Sequence, residues 1–203
     1  MKKTVLLFLL SNYADWEAAY VAAELNCDDD TNPYCIKTIS ISGEPVYSIG
    51  GLKVLPDYSL ETVPEEYEAL LLIGGTGWRA SEANKVVPLV KATLQKGKPV
   101  GGICDGSVFL AKNGFLNDVK HTSNSLEDLK EYAADEYTNE QGYLNQPAVS
   151  DGSIITADGT STLEFARLVF SKLQLDSEEV ISKWYNYNKL GDIEYKKTYG
   201  TDW

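Results

Sequence analysis

Residues 98–116, KPVGGICDGSVFLAKNGFL, pass from a short apolar strand into a helix through a turn rich in glycine. Gly101, Gly102 and Gly106 surround Cys104, and glycine tolerates the unusual backbone angles that such a turn requires. A sharp strand-to-helix turn that lifts one nucleophilic side chain above a sheet is the nucleophile elbow of many α/β enzymes. The segment therefore predicts an α/β protein whose chemistry centres on Cys104.

The alternation of short strands and longer helical segments extends along the whole chain. Apolar runs such as Val5–Leu10 and Ala69–Ile73 are continuous, as expected of strands that helices cover on both faces. Turn residues within 43–56 predict an antiparallel hairpin. Helical spacing predicts helices over Asp15–Asn26, Asn84–Lys96, Ser125–Ala134, Thr162–Leu173 and Glu178–Lys189. We expect one domain over residues 1–203, with a mostly parallel sheet between two layers of helices.

The charge balance is acidic, with 18 basic and 30 acidic side chains and a net charge of −12. This charge repels phosphate backbones and anionic lipid, so we expect neither nucleic acid nor membrane as a partner. The opening run MKKTVLLFLL is followed at once by polar residues and is far shorter than the ~20 residues of a membrane-spanning helix. We interpret this run as the first core strand. We expect a cytoplasmic location.

The three cysteines, Cys27, Cys35 and Cys104, are odd in number and form no C-x-x-C pair. They indicate neither a disulfide framework nor a zinc site. His121 is the only histidine, which leaves little material for a transition-metal centre, and we expect no metal and no cofactor. Cys27 and Cys35 lack a glycine turn and are interpreted as structural or incidental.

Two readings of Cys104 follow from its position. The helix after it presents a positive dipole end and free N–H groups, which predict a thiolate with a pKa below the ~8.5 of a free cysteine. Alternatively, Cys104 is a small buried hydrophobic residue, which is a common fate of a lone cysteine. The elbow favours the reactive thiol.

Two further loops follow strands and are expected to converge with the elbow, because ligands collect beyond the carboxyl ends of parallel strands. In IGGTGW, residues 73–78, the backbone N–H of Gly75 or Thr76 is a candidate donor to an oxyanion, or else the segment is a tight loop. Glu17 follows the first strand, so its carboxyl is placed to hydrogen-bond Cys104. The alternative for Glu17 is a solvated helix face.

Together these motifs resemble the ThiJ/PfpI superfamily over nearly the whole chain. The resemblance implies a flavodoxin-like three-layer sandwich of the class I glutamine amidotransferase type. It places Cys104 and Glu17 as the catalytic pair. It also places Gly75, Thr76 and Asp105 on the oxyanion side of the site. The later segment ITADGTSTLEFARLVF resembles the turn and helix that close the fold in many members.

The histidine of the family pattern is displaced in this chain. Members that use a Cys/His pair place histidine directly after the cysteine or in the strand after the elbow helix, and Asp105 occupies the first place. Alignment of VKHTSNSLEDL puts Asn124 at the second place, with His121 three residues earlier and on the opposite face of an extended strand. A shift of register would turn His121 towards Cys104. Both residues therefore stay candidates.

Three functions remain open from the sequence. The resemblance implies a hydrolase, amidase or glyoxalase-like enzyme for a small molecule, in which Cys104 attacks an electrophilic carbon and Glu17 handles a proton. The alternative is a redox- or stress-responsive protein whose Cys104 is oxidised, with no complete triad. A third hypothesis is a binding or scaffold protein without chemistry.

The resemblance also implies a homodimer or a larger assembly. The C-terminal segment is aromatic, and we expect it to pack on the domain or on a partner. Its aromatic residues are Trp184, Tyr185, Tyr187, Tyr195, Tyr199 and Trp203.

Overall fold

The apolar runs of the sequence form the strands of a central sheet. The computed structural model describes residues 2–27 and 32–200. The strands are β1 (Lys3–Phe8), β2 (Tyr34–Ser40), β3 (Val46–Tyr47), β4 (Lys53–Val54), β5 (Tyr58–Ser59), β6 (Ala69–Leu72), β7 (Val100–Ile103), β8 (Ala148–Asp151) and β9 (Ile154–Ala157). The α-helices are α1 (Asp15–Leu25), α2 (Val87–Gln95), α3 (Asp105–Lys112), α4 (Leu126–Ala133), α5 (Thr162–Leu173), α6 (Glu178–Leu190) and α7 (Asp192–Tyr199).

Parallel pairing dominates this sheet. In the part of the chain that the structure describes, seven strands are ordered β5-β2-β1-β6-β7-β9-β8. β1 pairs in parallel with β2 and β6, and the parallel pairing continues through β7 to β9. β8 is antiparallel to β9. The prediction of a mostly parallel sheet is confirmed.

Helices cover both faces of the sheet, because the side chains of each central strand alternate between two apolar cores. Val5 and Leu7 of β1 pack into the core that contains residues of α1, α5 and α6. Leu6 and Phe8 point the other way, into the core formed with α2, α3 and α4. The three-layer flavodoxin-like sandwich is therefore confirmed. Among the described helices, none has the length and apolar character needed to cross a bilayer.

The predicted hairpin lies outside the main sheet. β3 and β4 pair antiparallel, with Val46 opposite Val54, and Gly51 adopts a φ of 83° in the turn. Positive φ is the conformation for which a turn selects glycine. The hairpin prediction is confirmed.

Predicted and observed helices agree well for α1, α4, α5 and α6 and differ in two places. The predicted start of a helix at Asn84 is wrong, because Ser81–Val86 is a 3-10 helix and α2 begins at Val87. Pro88 lies in the first turn of α2, where its missing N–H costs no hydrogen bond. The sequence analysis did not predict α7, which begins after Gly191.

The aromatic C-terminal segment packs on the domain. Trp184 of α6 is buried, with its ring centroid 4.8 Å from that of Phe170 and 6.0 Å from that of Tyr20. Its indole N–H donates to Glu24 over 2.8 Å. The expectation that this segment packs on the domain is confirmed for Trp184, whereas Trp203 lies outside the described residues.

Candidate active site

Cys104 occupies the strained turn between β7 and α3. Its φ of 53° and ψ of −125° lie in a region that residues with a side chain rarely adopt. The turn is held by its N–H, which donates to Ala157 O over 3.0 Å, and by its carbonyl, which accepts from the N–H of Ser107 over 2.9 Å. A side chain at Gly106 would place its Cβ 2.4 Å from Leu72 O. The predicted elbow is present.

Glu17 lies beside the elbow and is buried, with 1% of its surface exposed. The N–H of Gly74 donates to Oε2 over 2.8 Å. Oε1 makes no hydrogen bond of regular geometry within the described residues. A Cβ built on Gly159 would lie 3.0 Å from Cys104 Sγ and 3.1 Å from this Oε1. The carboxyl and the thiol therefore share one crowded corner, and the solvated-face reading of Glu17 is wrong.

The two acids shift each other's ionisation. Burial raises the pKa of Glu17 to about 7, although hydrogen bonds from the Cys104 thiol and the Gly74 N–H oppose the shift. Burial, followed by the charge of Glu17, raises the pKa of the Cys104 thiol to about 12. The expectation of a lowered thiol pKa is wrong, because burial beside a carboxylate outweighs the helix dipole. The pair therefore holds two protons below pH ~7, and above that pH it holds one proton and carries one negative charge.

Asn124 reaches the sulfur from the segment before α4. Its Nδ2 donates to Cys104 Sγ over 3.4 Å, and its Oδ1 accepts from the N–H of Gly159 over 2.9 Å. The carbonyl of Gly159 accepts from the indole N–H of Trp16 over 2.9 Å. A carboxamide donates a hydrogen bond but does not exchange protons near neutral pH. Asn124 therefore orients the thiol and does not act as a base.

His121 is buried away from solvent and is engaged by other groups. Its Nδ1 lies 2.8 Å from Val119 O, and its Nε2 lies 2.7 Å from the Tyr137 hydroxyl. Burial lowers its pKa, so the neutral ring is favoured. The register shift that would turn this ring towards Cys104 is not observed. His121 forms an isolated β-bridge with Tyr143, and both of its ring nitrogens have hydrogen-bond partners other than Cys104.

The Asp105 side chain does not face the oxyanion side. Its Oδ1 and Oδ2 accept from Arg79 Nη2 and Nε over 2.7 and 2.9 Å. Arg79 also donates to both oxygens of Asp128 and lies 3.7 Å from the ring centroid of Tyr132. The backbone N–H of Asp105 hydrogen-bonds the Cys104 sulfur, whereas the charge of its carboxylate helps to raise the pKa of the thiol. The resemblance predicted the position of Asp105, but sequence reasoning missed Arg79, whose only signal is the need of a buried acid for a cation.

The glycine loop after β6 is also part of this corner. Gly75 has a φ of 138°, and a Cβ there would lie 2.2 Å from Asn12 O. Thr76 is exposed and begins a 3-10 helix. Trp78 is buried, whereas Trp16 is 51% exposed. The role of the Gly75 and Thr76 amides as oxyanion donors stays a prediction.

Comparison with known proteins agrees with this geometry. The model of the DJ-1/PfpI family matches residues 3–172. The chain belongs to this family. It is 35% identical over 201 residues to the Bacillus subtilis protein named "uncharacterized protease YdeA", with 98% of each chain covered.

Other members of the DJ-1/PfpI family extend the comparison. The crystal structure of a ThiJ/PfpI family protein from Bacillus anthracis matches with a TM-score of 0.88 and 34% identity, covering 96% of this chain and 94% of that one. A protein of Thermococcus kodakarensis named "deglycase TK1284" is 31% identical over 111 residues, which are 53% of this chain and 63% of that protein. The names of these relatives apply to those proteins.

Potential metal ligands do not converge in the described part of this DJ-1/PfpI chain. Across residues 2–27 and 32–200, no three His, Cys, Asp or Glu side chains form a group that could hold a metal ion. Cys27 and Cys35 are free thiols, as is Cys104. The groups that the structure does bring together are a thiol, a carboxyl, a carboxamide and several backbone N–H donors.

Proposed function

We propose that this DJ-1/PfpI protein is a cysteine-dependent enzyme that acts on small reactive carbonyl compounds. Cys104 is the nucleophile and Glu17 carries the proton. The observation that supports this best is the Glu17 carboxyl, buried against the thiol with a pKa raised to about 7 by burial. A group with a pKa near the working pH both accepts and donates a proton readily.

The chemistry is balanced with an α-oxoaldehyde as substrate. The sulfur of Cys104 bonds to the aldehyde carbon, and its proton passes through Glu17 to the carbonyl oxygen, which forms a hemithioacetal. The N–H groups of Gly75, Thr76 and Asp105 are the candidate donors to that oxygen. Glu17 then moves the hydrogen of this carbon to the neighbouring carbon, and the hydroxyl proton passes to the neighbouring carbonyl oxygen, which gives a 2-hydroxy thioester. Water cleaves the thioester to a 2-hydroxy acid and restores the thiol.

Carbonyl addition suits these residues better than amide hydrolysis. Amide cleavage requires a group that protonates the leaving nitrogen and then activates water, a task that imidazole performs in cysteine hydrolases. Here the ring of His121 binds Val119 and Tyr137, and Asn124 does not exchange protons. Hydrolase or amidase activity is the alternative, and a relative named as a protease supports it.

The test uses purified protein with methylglyoxal and with a panel of amides. We expect the wild type to form lactate, and Cys104→Ser to reduce kcat/KM by at least about 100-fold, because the nucleophile is lost. Glu17→Gln should keep the fold and lose a similar factor. Full activity in Cys104→Ser would overturn the proposal, whereas cleavage of amides alone, dependent on Cys104, would assign a hydrolase.

A redox role is the second candidate. Cys104 is partly exposed, and its sulfur meets the carboxamide of Asn124 and the N–H of Asp105, which are donors that an oxidised sulfur would accept. A protonated Glu17 adds a third donor. Mass spectrometry after mild peroxide should find oxygen added selectively at Cys104. Equal oxidation of Cys27 or Cys35 would contradict this role.

The remaining expectations stay predictions. They are a homodimer, a cytoplasmic location, and a lack of nucleic-acid and membrane partners. A binding protein without chemistry is the outcome if neither turnover nor selective oxidation is found.

A further inference from the structure

A polar cleft of about 530 Å³ adjoins the candidate active site. Hydroxyl and carboxamide side chains dominate its walls, namely those of Thr122, Ser123, Asn124, Asn145, Gln146 and Thr160. Among the described residues that line it, Asp158 alone is charged and none is basic. The wall of the cleft is therefore polar and carries one negative charge. The side chains of Thr122, Ser123, Asn124 and Thr160 already have hydrogen-bond partners within the protein.

Cys104 does not line the cleft, but two segments of its wall lie beside the sulfur. Asn124 lines the cleft and also donates to Cys104 Sγ over 3.4 Å. Gly159 lies between the lining residues Asp158 and Thr160, and its Cβ position is 3.0 Å from the same sulfur. A substrate whose carbonyl carbon bonds to Cys104 would therefore extend its remaining atoms into this cleft.

The charge in the cleft is already satisfied. Asp158 Oδ1 accepts from the N–H and the hydroxyl of Thr160 over 2.8 and 2.5 Å, and its Oδ2 accepts from the Ser161 hydroxyl over 2.5 Å. A carboxylate with these partners does not require a cationic ligand. Its charge nevertheless disfavours a carboxylate or phosphate, which proteins bind with Arg or Lys.

Two carboxamides of the cleft are free to bind a ligand. The side chains of Asn145 and Gln146 are exposed and make no hydrogen bond within residues 2–27 and 32–200. Each carboxamide offers both a donor and an acceptor. A hydroxyl group is likewise both donor and acceptor, so neighbouring hydroxyls on a ligand match this wall.

We propose that this cleft binds the non-reacting part of the substrate and selects neutral, polyhydroxylated carbonyl compounds over anionic ones. The proposal rests on the proposed function, because it assigns a substrate class to the same thiol. Sugar-like α-oxoaldehydes are the class that combines the reactive carbonyl with neutral hydroxyls.

The kinetic test compares three α-oxoaldehydes that share a reacting group. These are 3-deoxyglucosone, which is polyhydroxylated and neutral, methylglyoxal, which lacks hydroxyls, and hydroxypyruvaldehyde phosphate, which is anionic. We expect kcat/KM to be highest for 3-deoxyglucosone, by about tenfold over methylglyoxal, since two neutral hydrogen bonds are gained. The double variant Asn145→Leu/Gln146→Leu should abolish that preference. Equal or higher kcat/KM for the phosphate would overturn the proposal.

A binding experiment separates this proposal from the proposed function. Saturation-transfer NMR on Cys104→Ser needs no turnover and uses 1,5-anhydroglucitol with gluconate as its anionic counterpart. We expect transfer to 1,5-anhydroglucitol only, its loss in the double leucine variant, and its retention in Gln95→Leu, which changes an exposed carboxamide on α2. Absent transfer, or stronger transfer to gluconate, would overturn the assignment of the cleft. Absent turnover of every aldehyde with normal transfer would overturn the proposed function alone.

Discussion

Two buried carboxyl groups, those of Glu17 and Asp105, lie near Cys104 and meet different neighbours. Glu17 faces the thiol and accepts a hydrogen bond from Gly74, and burial raises its pKa to about 7. Asp105 is buried to a similar degree, but Arg79 holds both of its oxygens. Its hydrogen bonds to Asp105 and Asp128 raise the pKa of Arg79 further above its ordinary range. Burial alone therefore does not determine the role of a carboxyl group, because its charged and hydrogen-bonding neighbours also contribute.

The contrast assigns different tasks to the two acids. An unpaired buried carboxyl releases its proton near neutral pH and is suited to proton transfer. A carboxyl bound by a guanidinium fork is held in position. Asp105 begins α3, and Arg79 connects it to Asp128 of α4, so this ion pair fixes the helix that follows Cys104.

The largest expected effect comes from removing Arg79, the cation that binds Asp105. Arg79→Met leaves Asp105 and Asp128 without their shared partner, which should reduce the free energy of unfolding by about 3 kcal/mol. Urea denaturation measures the loss. Lys85→Met removes an exposed ion pair with Glu82 and is the matched control, with a change of less than about 0.5 kcal/mol. If Arg79→Met lowered the free energy of unfolding no more than Lys85→Met does, Arg79 would not stabilise Asp105, and the contrast with Glu17 would fail.

The second prediction concerns the ionisation of Glu17. Because the pKa of Glu17 is raised in the folded state, from 4.5 to about 7, the folded state holds the proton more tightly than the unfolded state. The contribution of Glu17 to wild-type stability should be fully present below pH ~4.5 and be lost as the pH rises through ~7, by about 3 kcal/mol in total. Glu17→Gln should lack this fall and so exceed the wild type at pH 8.

Urea denaturation at pH 4.5 and pH 8 measures this difference. Glu82→Gln, which neutralises an exposed carboxyl, is the control and should follow the wild type at both pH values. If the free energy of unfolding changed equally with pH in Glu17→Gln and in the wild type, ionisation of Glu17 would have no effect on stability, which would contradict the prediction.

A smaller effect is expected in the reactivity of the thiol. The pair loses its first proton near pH 7, so the rate of Cys104 alkylation by iodoacetamide should rise about tenfold between pH 6 and pH 8 and then level off. In Glu17→Gln the levelling should disappear, because the thiol then titrates alone with a pKa that burial raises. Mass spectrometry locates the label, and Cys104→Ser gives the background. Identical pH profiles of the alkylation rate for the wild type and Glu17→Gln would show that Glu17 does not influence the ionisation of the thiol.

The smallest effect is expected at the neutral partner of the sulfur. Asn124→Ala removes the Nδ2 donor and the acceptor for the Gly159 N–H, and alkylation at pH 7.5 should slow about fivefold, in line with one lost hydrogen bond. Asn84→Ala changes an exposed carboxamide far along the chain and serves as the control. An unchanged rate would mean that Asn124 only closes the loop of Gly159.

Much of the fold was predictable from the sequence because its signals are local. Continuous apolar runs marked β1 and β6, and helical spacing marked α5 with both of its observed ends. The start of α2 was missed because a 3-10 helix precedes Pro88, and helical spacing does not distinguish the two helix types at a short range. Site positions were predicted where a motif marked them, as at Cys104 and Glu17.

The sequence by itself determined the sandwich, the elbow and the position of Cys104 within it, since periodicity and glycine spacing record local backbone geometry. Only the tertiary structure decided which group meets which. Asn124, not His121, reaches the sulfur, and Arg79 meets Asp105. The ionisation of Cys104 and Glu17 was decided at the same level, because a pKa depends on burial and on neighbours brought together from distant parts of the chain.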